Sequence, residues 1–283
     1  MAEPLVAAEE IELRSRSGST VDPALPVEPV PTGPFTLNRV LHALAFVTSL
    51  AAFVQAQIEL AGVEVHWNVV RYYDTRSELM FNHIDTSPVD WRLAAVTLPT
   101  AVHHLFMATR PDVWWVTYCT ERFSLWRWVE YSITSTAMTM RIALLSGVND
   151  INALTGLMAM SVCMIVMGGA HEWLTALSGK LGYGLPEVLL VSSGALFIQQ
   201  WVMILTTFRN VANSSPDMPS WVVAAVAGLA VFDSGFPIVA LLSSYRRCAY
   251  ARIDAAYAGL SLSVKVFFMQ MLLYGYRSYQ RDP

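Results

Sequence analysis

Residues 254–276 read DAAYAGLSLSVKVFFMQMLLYGY, an apolar run that carries one lysine, Lys265, about eleven residues from either end. A bilayer is crossed by roughly 20 apolar residues in a helix, so this run is long enough to span. A lysine near a helix end reaches the headgroups by snorkelling. At the centre of a span the charged form costs on the order of 3 kcal/mol. Lys265 therefore needs an anionic partner, a neutral form, or a covalent fate for its amine. An imine with an aldehyde cofactor supplies the third.

The rest of the chain has the same character. It is 54% hydrophobic and 14% charged, with mean hydropathy +0.43, outside the range usual for soluble domains. Seven spans are predicted, at 37–58, 92–109, 124–145, 151–177, 186–208, 219–243 and 254–276. The second, with Pro99, His103 and His104, is the least apolar. The expected fold class is an all-α membrane protein, a single seven-helix bundle in a lipid bilayer. Its domain is predicted over residues 35–278, after a disordered polar tail at 1–34 and before a short tail at 279–283. The N-terminal tail holds Glu9, Glu10 and Glu12 and then five prolines from Pro23 to Pro34. It has no apolar run after a basic start, so no cleavable signal peptide is expected. The connection at 59–91 is long for such a bundle, and the run Val63 to Tyr73 suits a short β-hairpin. Cys119, Cys163 and Cys248 have neither metal spacing nor a disulfide framework, and no metal is expected. No hydrolytic or phosphate-binding motif is present, and no nucleic-acid partner is expected.

The basic residues orient the bundle. Nine fall on the side of the N-terminus, among them Arg14, Arg39, Arg110, Lys180 and Arg246, against six on the other side, among them Arg71, Arg209 and Arg277. The excess favours an inside N-terminus and an outside C-terminus. The third span opens with Trp126-Arg127-Trp128-Val129-Glu130-Tyr131-Ser132-Ile133-Thr134-Ser135-Thr136 and so holds an intramembrane carboxylate. At about 1.5 Å per residue, Glu130 lies roughly 9 Å and Lys265 roughly 16 Å from the inner face. The two can meet. Ser261, one turn before Lys265, shares its face. A salt bridge that only ties two helices together satisfies this geometry, and so does a retinal Schiff base on a central lysine of the seventh helix.

The block Arg127–Thr136, with Ser261-Leu262-Ser263-Val264-Lys265, resembles the heliorhodopsin family across residues 37–277. The resemblance implies that Lys265 carries retinal, expected as the all-trans isomer, and that Glu130 is the counterion of the protonated Schiff base. It implies a serine, Ser261, where most ion-pumping microbial rhodopsins carry a second carboxylate. It places His42 and His103 in a polar cluster that receives the Schiff-base proton, in a role for which histidine chemistry is suited. It further implies an inside N-terminus, a structured 1–2 loop and a homodimer.

The cofactor-binding candidates are Lys265, Glu130, Ser261, Tyr131, Thr134, Trp201 and Phe236. His104 and His171 read better as hydrogen-bonded interior histidines, and Glu172 and Asp254 as solvated residues near the interface. Asp233, in Val231-Phe232-Asp233-Ser234-Gly235-Phe236-Pro237, sits mid-span and is a functional candidate by default. Glu187 is a rim residue at the start of the fifth span. Three functions follow. A photosensor read by an inner-face partner or by the dimer is favoured by Ser261. A light-gated passive proton or cation conductance would use Asp233 and Glu187, and Asp233→Asn would then alter current and leave colour nearly unchanged. A ligand receptor or transporter without a chromophore would gain no colour from added retinal.

Overall fold

The computed structural model describes residues 37–60, 69–75, 78–85, 90–110, 123–177, 184–214, 218–244 and 250–281; the expected N-terminal tail lies outside them. The apolar runs fold into seven helices: α1 Leu37–Leu60, α2 Asp90–Thr109, α3 Leu125–Leu145, α4 Ile151–Leu177, α5 Leu185–Ser214, α6 Ser220–Ser244 and α7 Tyr250–Arg281. Helices are what a chain in lipid must form, because each satisfies its backbone hydrogen bonds internally. Large apolar side chains such as Val47, Val191 and Val231 face outward, where lipid rather than water is their solvent. Each helix packs on its sequence neighbour, and α1 closes the ring against α7.

Two spans run longer than hydropathy predicts. α5 continues to Ser214, and α7 starts at Tyr250 and runs to Arg281, through residues assigned to a tail on sequence grounds. The earlier start of α7 puts Asp254 a full turn inside the helix. Five helices are long and apolar enough to count as spans by composition, namely α1, α4, α5, α6 and α7. α2 and α3 are the exceptions, and the reason is in their inward faces. α3 turns Leu125, Trp126, Val129 and Ile133 outward and buries Arg127, Glu130, Thr134, Thr139 and Arg141. It is polar inside and greasy outside.

α3 begins at Ser124, whose hydroxyl accepts from the Arg127 amide at 3.4 Å. It ends at Gly147, which has φ +88° and therefore takes the left-handed conformation open to glycine. A Cβ at Gly147 would also stand 2.5 Å from Val211 Cγ2 on α5, so the position excludes a side chain twice over.

The interior divides along the bundle axis. At the end where α7 finishes, Met138, Ile142, Leu157, Ile204, Leu229 and Phe268 make a dry core. At the end where α1 starts, here the N-side, buried polar groups predominate: Asn38, His42, His103, His104, Arg127, Glu172 and Asp254. Lys265 stands where the two halves meet. Between α1 and α2 the chain forms an antiparallel pair, β1 Val69–Thr75 and β2 Glu78–Asp85, with Tyr72 opposite Phe81 and Thr75 opposite Glu78. Of the run expected to form a hairpin, residues 63–68 lie outside the described residues.

Candidate functional site

Lys265 and Glu130 are buried, at 6% and 4% exposure, and they meet. The Lys265 ammonium donates to Glu130 Oε1 and, at 2.9 Å, to Ser261 Oγ one turn back on α7. Two threonines close the same carboxylate oxygen: Thr100 Oγ1 on α2 at 2.6 Å and Thr134 Oγ1, one turn on in α3, at 3.0 Å. Glu130 Oε2 has no hydrogen-bond partner among the described residues. A buried ion pair is expensive to desolvate and gains little over an apolar pair of the same shape, so its retention points to a use.

That use is suggested by what Lys265 faces. It lines a cavity between α3, α4, α5, α6 and α7 whose wall is largely apolar, with Met138, Met164, Ile165, Phe197, Phe236, Pro237 and Val264. Trp128, Tyr131, Phe236 and Tyr257 form an aromatic group on it. Tyr131 and Phe236 meet edge to face at 5.5 Å, Phe236 stacks with Tyr257 at 6.2 Å, and the Lys265 nitrogen lies 5.4 Å from the Tyr131 ring. Gly168 and Gly169 of α4 let the Trp128 indole press against the helix, since a Cβ on either would come within about 3.1 Å of the ring. Thr134, Ser261 and Asp233 also line this wall. Trp201 does not. It is buried in the dry core, and its neighbour Gln200 takes the place on the cavity wall.

On the N-side a second network joins four helices, α1, α3, α4 and α7. Arg127, 2% exposed, donates from Nη1 to Asp254 Oδ1 at 2.9 Å and from Nη2 to Glu172 Oε2 at 2.6 Å, and its guanidinium lies 4.4 Å from the Tyr257 ring. The Trp128 indole N–H donates to Glu172. Asp254 Oδ2 lies 3.0 Å from His42 Nε2 and accepts from Asn38 Nδ2 at 3.3 Å. Glu172 and Asp254 are therefore not solvated interfacial groups, as their depth suggested; both are buried partners of Arg127. Arg127 itself escaped attention as a site residue, although it precedes Glu130 by one helical turn and so shares its inward face. Arg127→Gln strands two buried carboxylates and is expected to cost about 3–5 kcal/mol. A lower unfolding temperature of the detergent-solubilised protein would register it.

The histidines gather here too. His42 Nδ1 lies 2.7 Å from His104 Nδ1, and the ring of His103 is 5.0 Å from His104 and 6.0 Å from His42. The structure thus adds His104, set aside on sequence grounds, as the direct partner of His42. His103 Nδ1 and His104 Nε2 are buried without a hydrogen-bond partner among the described residues. His171 bonds Pro186 O at 2.8 Å and Ser244 Oγ at 2.7 Å, tying α4 to α5 and α6. Glu187 is not on the cavity wall. Its Oε2 accepts from the Gly184 amide at 2.9 Å and caps the start of α5.

The seven-helix bundle is that of microbial rhodopsins. A light-driven proton pump from Leptosphaeria maculans superposes with TM-score 0.65 at 14% identity, over 88% of this chain and 98% of that one. The thermophilic rhodopsin from Rubrobacter xylanophilus gives 0.61 at 19% identity, over 84% and 95%. The transmembrane domain of Salpingoeca rosetta rhodopsin phosphodiesterase gives 0.63 at 15%, over 85% and 84%. At these identities the likeness is one of fold. A comparison with curated protein sequences gives no match. The heliorhodopsin family profile matches residues 35–275, and the chain belongs to that family. Members of the rhodopsin family bind retinal, and the site residues fit it. An amine with its own buried carboxylate opens onto an apolar, aromatic-walled cavity, and one oxygen of that carboxylate is still unpaired.

Proposed function

We propose that this chain is a photoreceptor in which the Lys265 nitrogen holds retinal and Glu130 holds the counter-charge. The observation that carries the reading is the buried Lys265–Glu130 pair on the wall of an apolar cavity. A purely structural salt bridge would need no cavity beside it. When bound, retinal supplies a visible-absorbing polyene joined to the Lys265 nitrogen as a protonated Schiff base and a double bond that rotates on excitation.

The chain's own residues do the rest. In the dark Glu130 Oε1 keeps a proton at the Lys265 nitrogen, Ser261 Oγ holds the nitrogen from one turn below, and Thr100 and Thr134 fix the carboxylate. If the Lys265 N–H turned away from Glu130, the N-side polar cluster would be the group to receive its proton. His42, oriented by Asp254, and His103 and His104, each with a free ring nitrogen, are its acceptors. The charge change there bears on the Arg127–Asp254–Glu172 network and so on the packing of α3, α4 and α7, a local switch with a global readout.

The excess of basic residues sets the N-side toward the cytoplasm. The altered shape is read there by an inner-face partner or across a homodimer. The output is a photoreaction and not catalysis on a substrate. A conductance is the second reading, but its two carboxylates do not share a file: Glu187 caps α5 and Asp233 faces the cavity.

The test is voltage-clamped photocurrent in retinal-supplied cells, with pigment confirmed at the surface and external pH varied. Pigment without current is the expected result. A current that reverses with the proton gradient would replace the sensor by a light-gated conductance. A chain that stays colourless with added retinal would end both readings.

A further inference from the structure

Asp233 is a carboxylate in the most apolar of the spans, α6, and it faces the cavity one turn before Pro237. It has no hydrogen-bond or ion-pair partner among the described residues. The groups that might have claimed it are committed elsewhere. The Lys265 nitrogen is taken by Glu130 and Ser261, and the hydroxyl of Ser234 donates to Ala230 O at 2.7 Å. The titratable groups on the cavity wall from the helices that pack on α6 are Lys265 and Tyr257 on α7 and Tyr131 on α3. The Tyr131 hydroxyl donates to Tyr257 O at 3.3 Å. α4 and α5 line the cavity with Met164, Ile165, Gly168, Ser193, Phe197 and Gln200, among other neutral residues. His171 of α4 meets α6 only at its N-side end, through Ser244.

A carboxylate on the same cavity wall as Lys265, yet not on its nitrogen, has a chemical consequence. Resting on the reading that this cavity holds retinal, we propose that Asp233 is a colour-setting residue whose protonation state makes the absorption band depend on pH. Excitation moves positive charge from the nitrogen along the polyene. An anion at the nitrogen stabilises the ground state, whereas an anion beside the polyene stabilises the excited state. Ionising Asp233 therefore shifts the band to longer wavelength, opposite in sign to the effect of Glu130. The wall is largely apolar and screens that charge weakly, so the shift is readable for a group that never touches the nitrogen.

The experiment follows absorption of the retinal-loaded full chain from acid to alkaline pH, in wild type, Asp233→Asn and Asp233→Glu. Infrared titration of carboxyl C=O stretches in the retinal-free protein gives a readout independent of pigment. The expected result is a red shift in wild type over the pH range in which one protonated carboxyl band disappears. Asp233→Asn should lose both, and Asp233→Glu should keep both at a displaced midpoint. A red shift on raising pH that persists in Asp233→Asn overturns the proposal, as does a wild-type band that stays fixed throughout. A wild type that forms no visible band sinks the retinal reading itself, whereas the other failures sink only the role of Asp233.

Discussion

Lys265→Ala is expected to abolish pigment formation completely. The chain has only one other lysine, Lys180, which falls between α4 and α5 in the sequence and outside the described residues. Among the described residues Lys265 is therefore the only lysine. The substitution also leaves Glu130 buried without its cation, which costs about 3–5 kcal/mol and could by itself deplete the folded protein. Lys265→Ala combined with Glu130→Gln removes both charges and separates the two effects. The double variant should fold, as judged by its melting transition and its yield at the membrane, and should remain colourless with excess retinal. A retinal-dependent visible band in either variant would refute Lys265 as the attachment point.

Glu130→Gln should keep the pigment and move its band to longer wavelength. Glutamine preserves the shape that Thr100 and Thr134 close around, so the site stays intact. What disappears is a full negative charge in contact with the nitrogen. Two unit charges about 4 Å apart interact by about 4 kcal/mol at an effective dielectric near ~20. That stabilisation belongs mainly to the ground state, in which the positive charge sits at the nitrogen, and its loss narrows the excitation gap. The absorption spectrum of the purified variant decides the matter. An unmoved band would mean that the counter-charge lies elsewhere, with Asp233 and Asp254 the carboxylates to replace next.

Sequence carries the centre of this site and hides its surroundings. Lys265 and Glu130 stand out because hydropathy has no account of a charge at such depth, and their pairing follows from helix rise alone. Arg127, Glu172 and Asp254 lie nearer the helix ends, where solvation explains a charge equally well. Only the packing of α3, α4 and α7 turns them into a buried triad. Adjacent residues on a helix point about 100° apart, so a small error in facing exchanges Gln200 for Trp201 on the cavity wall, or admits His104 beside His103. The ends of α5 and α7 were underestimated for a different reason. Their last turns are polar yet still helical, and a hydropathy window ends before the helix does.

The inverted character of α3 bears on how the bundle is made. A nascent α3 cannot rest in lipid with Arg127 and Glu130 uncovered, and α2 offers Glu130 the Thr100 hydroxyl but no cation. Arg127 gains Glu172 once α4 has been synthesised. Glu130 must wait for α7, made after the other six helices, which brings Lys265 and, for Arg127, Asp254. The seventh helix is thus the keystone of assembly: until it docks between α1 and α6, Glu130 lacks the cation that balances its charge.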